Sequence, residues 1–264
     1  MAAAASSQPR GGSGRRRSRR NRAQGRSGGS PQGGSKREAG GRVSIVAPIF
    51  GDTGAMSESF SILGRGRAGR ALAEAWGGRA RLLPRDAEPE GPVLLAVPDD
   101  AIAAVAGKFP GRCAHLSGSL HLDGVPSLHP LTSFDGRSAD WAGTPLAVTG
   151  AAPAALVEAF RELGFAPFDL PAGLKPLYHA CAVLSSSHAA TLWLGAERMM
   201  AEQGVRLPGK GFLSLAEATL RNIEAHGGEG RTGPFVRGDE GTIRRDADAL
   251  PEAWREIFLR LGGL

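Results

Sequence analysis

The stretch Phe60-Ser61-Ile62-Leu63-Gly64-Arg65-Gly66-Arg67-Ala68-Gly69-Arg70-Ala71-Leu72 constrains this chain more than any other. A short apolar run meets three glycines spaced G-x-G-x-x-G and passes directly into helical spacing. Ala68, Ala71, Leu72 and Ala75 fall at i, i+3, i+4 and i+7, and Gly77-Gly78 follow as a stop. A strand, a tight turn and a helix in that order aim backbone N–H groups and a partial positive charge at one point. That point suits the diphosphate of a dinucleotide. Gly64 would allow the turn off the strand, Gly66 would leave room for a phosphate, and Gly69 would let helix and sheet approach. Arg65 and Arg67 add cations beside Ala68 at the helix start. The chain has 39 glycines, so a glycine-rich turn without a ligand is the competing reading.

Charge separates the chain into two parts. Residues 1–42 hold ten Arg, one Lys and one Glu, a net +10, so a whole-chain charge of +6 leaves the remainder at −4. A mildly acidic body lacks the electrostatic footprint of a nucleic-acid binder. The Arg/Gly/Ser-rich stretch 1–55 has too few apolar side chains to offset the entropy of ordering, and disorder is expected there. Arg15-Arg16-Arg17-Ser18-Arg19-Arg20 could meet RNA if this tail belongs to the native protein. Met56, just before Ser57-Glu58-Ser59-Phe60, is an alternative start that preserves the whole glycine motif. No apolar run is long enough to span a membrane, and no signal-like apolar core is present. Cys113 and Cys181 lack metal-like spacing, so free thiols in a cytoplasmic protein are expected.

Beyond the motif, short apolar runs alternate with helical patterns. Strands are expected at Ala80–Leu83, Val93–Val97, Cys113–Leu116, Val125–Leu128, Pro145–Val148 and Ala166–Leu170. Asp99 or Asp100 would cap a helix through Ala106, and another would run from Pro153 to Leu163. This alternation implies an α/β fold of the Rossmann type, a doubly wound and mostly parallel sheet. Near Gly173 the pattern turns helical. One long helix is expected over Pro176–Gln203, a second over Leu213–His226, and shorter ones after Gly238 and over Pro251–Leu261. The division is a tail (1–55), a dinucleotide-binding domain (56–172) and an all-helical domain (173–264), with a substrate between the last two.

The residue after the second strand reads the adenosine ribose: an acid favours a free 2′-hydroxyl and an arginine a 2′-phosphate. The chain offers Arg85 and then Asp86. Arg79 and Arg81 lie close by, which favours NADP over NAD. Transfer of a hydride also needs a proton carrier. Lys175, Tyr178 and His179 share one helical face, and His129 follows a strand. Histidine exchanges protons near neutral pH, so His179 or His129 takes that role and Lys175 stabilises charge. Lys175 precedes Pro176, which leaves a solvated helix entry as its plainer reading. His115, His121 and His129 contain no tight ligand pair, and no metal is expected. Ser185-Ser186-Ser187-His188 lacks a nucleophile elbow and reads as helix packing. Arg237-Gly238-Asp239 reads as a loop contact to the cleft.

These residues resemble a bacterial family of short Rossmann-like proteins with a C-terminal helical domain of unknown function. That family is itself similar to pyrroline-5-carboxylate reductases and deazaflavin-dependent NADP reductases. The resemblance covers about residues 59–261. It rests on Gly64–Gly69, Val97-Pro98-Asp99-Asp100-Ala101-Ile102, His115-Leu116-Ser117-Gly118, Leu128-His129-Pro130, Tyr178-His179-Ala180, Asn222-Ile223 and Thr232-Gly233-Pro234-Phe235-Val236-Arg237-Gly238-Asp239. It implies a nicotinamide-binding domain, with Val97, Pro98, Ser117 and Gly118 among the cofactor contacts. It also implies a homodimer through the helices, and no established substrate. In related dehydrogenases a Lys and an Asn on the long helix support the reaction. Here Lys175 is present, but Ser187-His188 stands where Ser-Asn is expected. The sequence therefore points to an NADP-dependent oxidoreductase of a small polar metabolite, or to a catalytically silent NADP-binding sensor.

Overall fold

A computed structural model describes residues 59–84 and 86–264. The expectations for the tail, for Met56 and for Arg85 fall outside these residues. The elements are β1 (Phe60–Leu63), α1 (Arg67–Trp76), β2 (Ala80–Leu83), β3 (Val93–Leu95), α2 (Asp99–Ala106), β4 (Cys113–His115), β5 (Ser127–Pro130), β6 (Pro145–Thr149), α3 (Ala154–Glu162) and β7 (Ala166–Asp169). Helices α4 (Lys175–Val183), α5 (Ala189–Glu202), α6 (Phe212–His226), α7 (Pro234–Arg237), α8 (Glu240–Ala249) and α9 (Glu252–Gly262) complete it. Among the described residues the seven strands form one sheet in the order β2-β1-β3-β4-β5-β6-β7. Among the pairings of these seven strands, β5–β6 alone is antiparallel.

The strand pleat sorts side chains onto two faces. Phe60, Ile62, Leu94 and Ala114 join Leu72 and Trp76 of α1 and Leu156 and Phe160 of α3 in one buried cluster. Leu63, Val93, Leu95 and Cys113 face the other way, onto Ile102 and Val105 of α2. Helices thus cover both faces of the parallel strands, as a doubly wound sheet requires. Trp76 is the larger cluster's hinge pin. Its ring meets Phe60 and Phe160 edge to face at 4.9 and 5.0 Å, and its Nε1–H donates to the Ala159 carbonyl at 2.8 Å. Each such fully buried aromatic contributes roughly 1.5–3 kcal/mol.

Register explains how a helix after β7 returns to the middle of the sheet. β4 ends at His115, which pairs with Ser127, the first residue of β5. β5 therefore projects beyond the carboxyl end of β4, and His129 lies within the strand, not after it. β6 runs back beside it, placing Thr149 opposite Ser127. Thr149 then donates through its hydroxyl to the Leu170 carbonyl at 2.9 Å, at the exit of β7. The chain entering α4 arrives level with the carboxyl end of β4.

The long helix expected over Pro176–Gln203 is continuous from Lys175 to Glu202 but carries one π-helical turn, Leu184–His188. Ser185 and Ser186 donate their hydroxyl protons back to the Cys181 and Ala182 carbonyls at 2.9 and 2.6 Å, a pattern that loosens helices. This segment is exposed, which corrects the packing role read for Ser185–His188. Arg237-Gly238-Asp239 also differs from expectation. It joins α7 to α8, and the Asp239 carboxylate caps α8 by accepting from the Thr242 N–H at 3.1 Å. Among the described residues no helix is long and apolar enough to cross a membrane.

Candidate functional site

The three glycines of the first turn meet three different steric situations. Gly64 has φ 114°, a region that L side chains avoid, and a Cβ there would strike the Ala96 carbonyl. A Cβ on Gly69 would strike the Gly64 carbonyl oxygen and come within 3.4 Å of the Ala96 methyl. Gly66 is the opposite case. Its φ of −68° suits any residue, and nothing lies within 4 Å of where its Cβ would be. Packing closes two of the positions and leaves the central one as open space at the N-terminus of α1. Arg65, Gly66 and Arg67 are exposed there, and Ala68 is half-buried. A diphosphate fits this cradle: bare amides, a helix N-terminus and two cations.

The cationic surroundings are thinner than the sequence suggests. Arg79 is ion-paired with Glu162 of α3, so it is not free for a 2′-phosphate. Arg81 lies 3.9 Å from the Glu90 carboxylate, and Asp86 is exposed.

Next along the sheet edge, Val97 and Pro98 leave β3, and Ser117 and Gly118 leave β4. Every polar atom of Ser117 has a partner. Its N–H donates to His115 Nδ1 at 3.2 Å and its hydroxyl donates to the Asp99 carboxylate at 2.7 Å. The same hydroxyl accepts from the Leu120 N–H at 3.0 Å, and its carbonyl accepts from Lys175 Nζ at 2.9 Å. Ser119 adds a hydroxyl to Asp99 at 3.3 Å. Asp99 therefore braces this loop instead of capping α2, where Pro98 takes the cap position.

Lys175 is 1 % exposed, which overturns the solvated-entry reading. Its Nζ also donates to Ser127 Oγ at 2.6 Å. Burial pulls its pKa down to about 8, with Asp99 pulling the other way. His115 is buried and His129 half-buried. Burial, reinforced by Lys175 for His115 and by His179 and then Lys175 for His129, holds each imidazole near a pKa of about 4, so both are neutral at pH 7. His129 Nδ1 is 3.1 Å from the Tyr178 hydroxyl, and its ring lies 6.1 Å from that of His179. Gly118 lets these rings approach: a Cβ there would fall 2.7 Å from His129 Nε2 and 2.8 Å from His179 Cδ2.

The structure thus brings Ser117, Gly118, His129, Lys175 and His179 into one cluster. Gly64–Gly69 forms a separate cradle on the same edge of the sheet. Asp99 and Ser127 are members of the cluster that composition and spacing did not single out. Asp99 looked like a helix cap, and Ser127 is one hydroxyl inside an apolar run.

No curated protein matches the chain. Among solved structures it is similar to a candidate NADP oxidoreductase, BF3122, from Bacteroides fragilis, at 17% identity and TM-score 0.64. That match covers 78% of this chain and 98% of the other. It is also similar to protein TM1727 from Thermotoga maritima, at 20% identity and TM-score 0.61, covering 77% and 95%. These likenesses agree with the Rossmann-type sheet and the helical C-terminal part. Residues 144–263, from β6 to α9, match the family described as a domain of unknown function, DUF2520.

Proposed function

We propose that this chain is an oxidoreductase that binds NADP(H), and NAD(H) less well, at the Gly64–Gly69 turn. It transfers a hydride to or from a small polar metabolite at the carboxyl edge of the parallel strands. The observation that carries this reading is the contrast within the glycine turn. Two positions are closed by backbone, while the third is open and conformationally unstrained. An open, unstrained glycine at the N-terminus of α1 leaves room for a phosphate to approach the backbone amides. The amides of α1 and the exposed Arg65 and Arg67 would hold the diphosphate, each nearby anionic charge gaining roughly 0.3–1 kcal/mol from the helix end. Val97, Pro98, Ser117 and Gly118 would border the nicotinamide, which supplies the hydride when bound. The name of the Bacteroides protein points the same way.

Within the cluster, Lys175 supplies fixed positive charge and holds the Ser117 carbonyl. Proton transfer falls to the half-buried group around His129 and His179. The helical part is also proposed to pair two copies. Helix α6 has no buried residue, yet Leu215 is 65 % and Leu220 57 % exposed. An amphipathic helix gains its stability by covering such a face. The second reading is a silent NADP-binding sensor, and the enclosure of the Lys175 ammonium favours it.

Thermal unfolding with NADP, NADPH, NAD and NADH tests the cofactor. A ligand at 100 times its dissociation constant should stabilise by about 2.7 kcal/mol. Indifference to all four nucleotides refutes the reading. Nucleotide binding with no NADPH oxidation by any of a set of small ketones and imines favours the sensor.

A further inference from the structure

Lys175 cannot meet a ligand without giving up its present partners, since its ammonium is enclosed and held by Ser117 and Ser127. One turn along α4, Tyr178 is half-buried, and its hydroxyl is the group 3.1 Å from His129 Nδ1. The two rings meet edge to face at 5.5 Å, and the Phe168 ring is 6.2 Å from the phenol. His129 in turn leans on Gly118, in the loop that leaves the carboxyl end of β4. The phenol is therefore tied to the part of the sheet edge where a doubly wound fold places its ligand.

A neutral imidazole with its proton on Nδ1 donates to the phenol oxygen. The phenolic O–H is then free to point at a third group. The opposite tautomer would consume that proton. Burial raises the Tyr178 pKa, so the phenol keeps its proton at neutral pH.

We propose that Tyr178 is the proton donor of the reduction, and that the acceptor is a small ketone or imine. His129 is the positioning residue that holds the phenol oxygen. This rests on the nicotinamide-dependent reading above. The hydride from reduced nicotinamide forms the new C–H bond. The π pair of the C=O or C=N group takes the phenolic proton, giving an alcohol or an amine and oxidised nicotinamide. The phenolate, held by His129 Nδ1–H, regains its proton from water. In the oxidative direction the same phenolate accepts the proton.

The chain contains one tyrosine, so any tyrosine signal reports Tyr178 alone. Full-length protein made with difluorotyrosine, whose phenol titrates lower and within the range where proteins stay folded, is titrated by fluorine NMR. It is measured free, saturated with NADPH and saturated with NADP. The oxidised ring carries one positive charge that the reduced ring lacks. At about 5 Å from the phenolate, that charge should lower the titration midpoint by about one pH unit or more relative to NADPH. Equal midpoints with both nucleotides bound overturn the assignment. If calorimetry on the same sample finds that neither binds, the cofactor reading fails first and this inference falls with it. His129→Phe should raise the midpoint in the nucleotide-bound protein, whereas His129→Gln, which keeps an N–H donor, should restore part of the shift. An unchanged midpoint in folded His129→Phe refutes the positioning role.

Discussion

Replacing Lys175 with methionine is the most direct probe of the cluster. Burial lowers the lysine pKa from 10.5 to about 8. Between those values the unfolded chain binds a proton that the folded protein does not. Stability must therefore rise with pH across that window, the reverse of what a lysine with a raised pKa would do. At 1.36 kcal/mol per pKa unit, the gain from about pH 7 to about pH 10 is about 2.5 kcal/mol. Lys175→Met keeps the length of the side chain and removes the titrating group. At pH 7 two effects oppose each other. The variant escapes the desolvation of an ammonium, but it leaves the Ser117 carbonyl and the Ser127 hydroxyl without their donor. Each orphaned group costs about 1–3 kcal/mol. The net change at one pH is a small difference of large terms, so the pH slope is the cleaner measure. Urea unfolding of both proteins at several values between about pH 7 and pH 10 gives that slope. The stability difference should move by about 2.5 kcal/mol in favour of the wild type as pH rises. Parallel curves would refute the enclosed, charged lysine.

Three further outcomes follow from the same geometry. Gly66→Val should still fold, because its φ is ordinary and the space is open, losing only about 1 kcal/mol as a poorer N-cap of α1, yet lose NADP(H) binding; Gly69→Ala should instead lose about 1–3 kcal/mol of stability through its clash with the Gly64 carbonyl. His115 and His129, with folded pKa values of about 4 against an ordinary 6.5, bind fewer protons folded than unfolded between those values. Stability should fall as pH drops through that window, by about 3 kcal/mol for the buried His115, and unfolding of His115→Gln between pH 7 and pH 4 should be flatter by that amount. Leu215→Glu with Leu220→Glu should convert a dimer to a monomer in light scattering, and a wild-type protein that is already monomeric refutes the pairing.

The glycine turn, the strand–helix alternation and the later helices were legible because each is a local property. Spacing of apolar residues, turn chemistry and stop residues act within one or two turns of chain. The boundaries moved slightly: β3 ends at Leu95, two residues before its apolar run does, and β5 extends through Pro130 to include His129. The cluster was legible only in part. Lys175, Tyr178 and His179 share a face by helical geometry alone, but their partners come from the loop after β4 and from β5. Arg79 illustrates the converse. Its neighbours in sequence suggest a phosphate pocket, while its neighbour in space is Glu162.

From the sequence alone came the fold class and the dinucleotide-type turn, set by short-range sterics and periodicity, and the candidate residues, set by their chemistry and by the family resemblance. Tertiary structure decided which of those residues meet. The single antiparallel step at β6 returns the chain to the carboxyl end of β4. That step buries Lys175 under Ser117 and Ser127 and brings Tyr178 to His129. Contacts between residues about 50 positions apart depend on sheet order and register, and no local pattern encodes either.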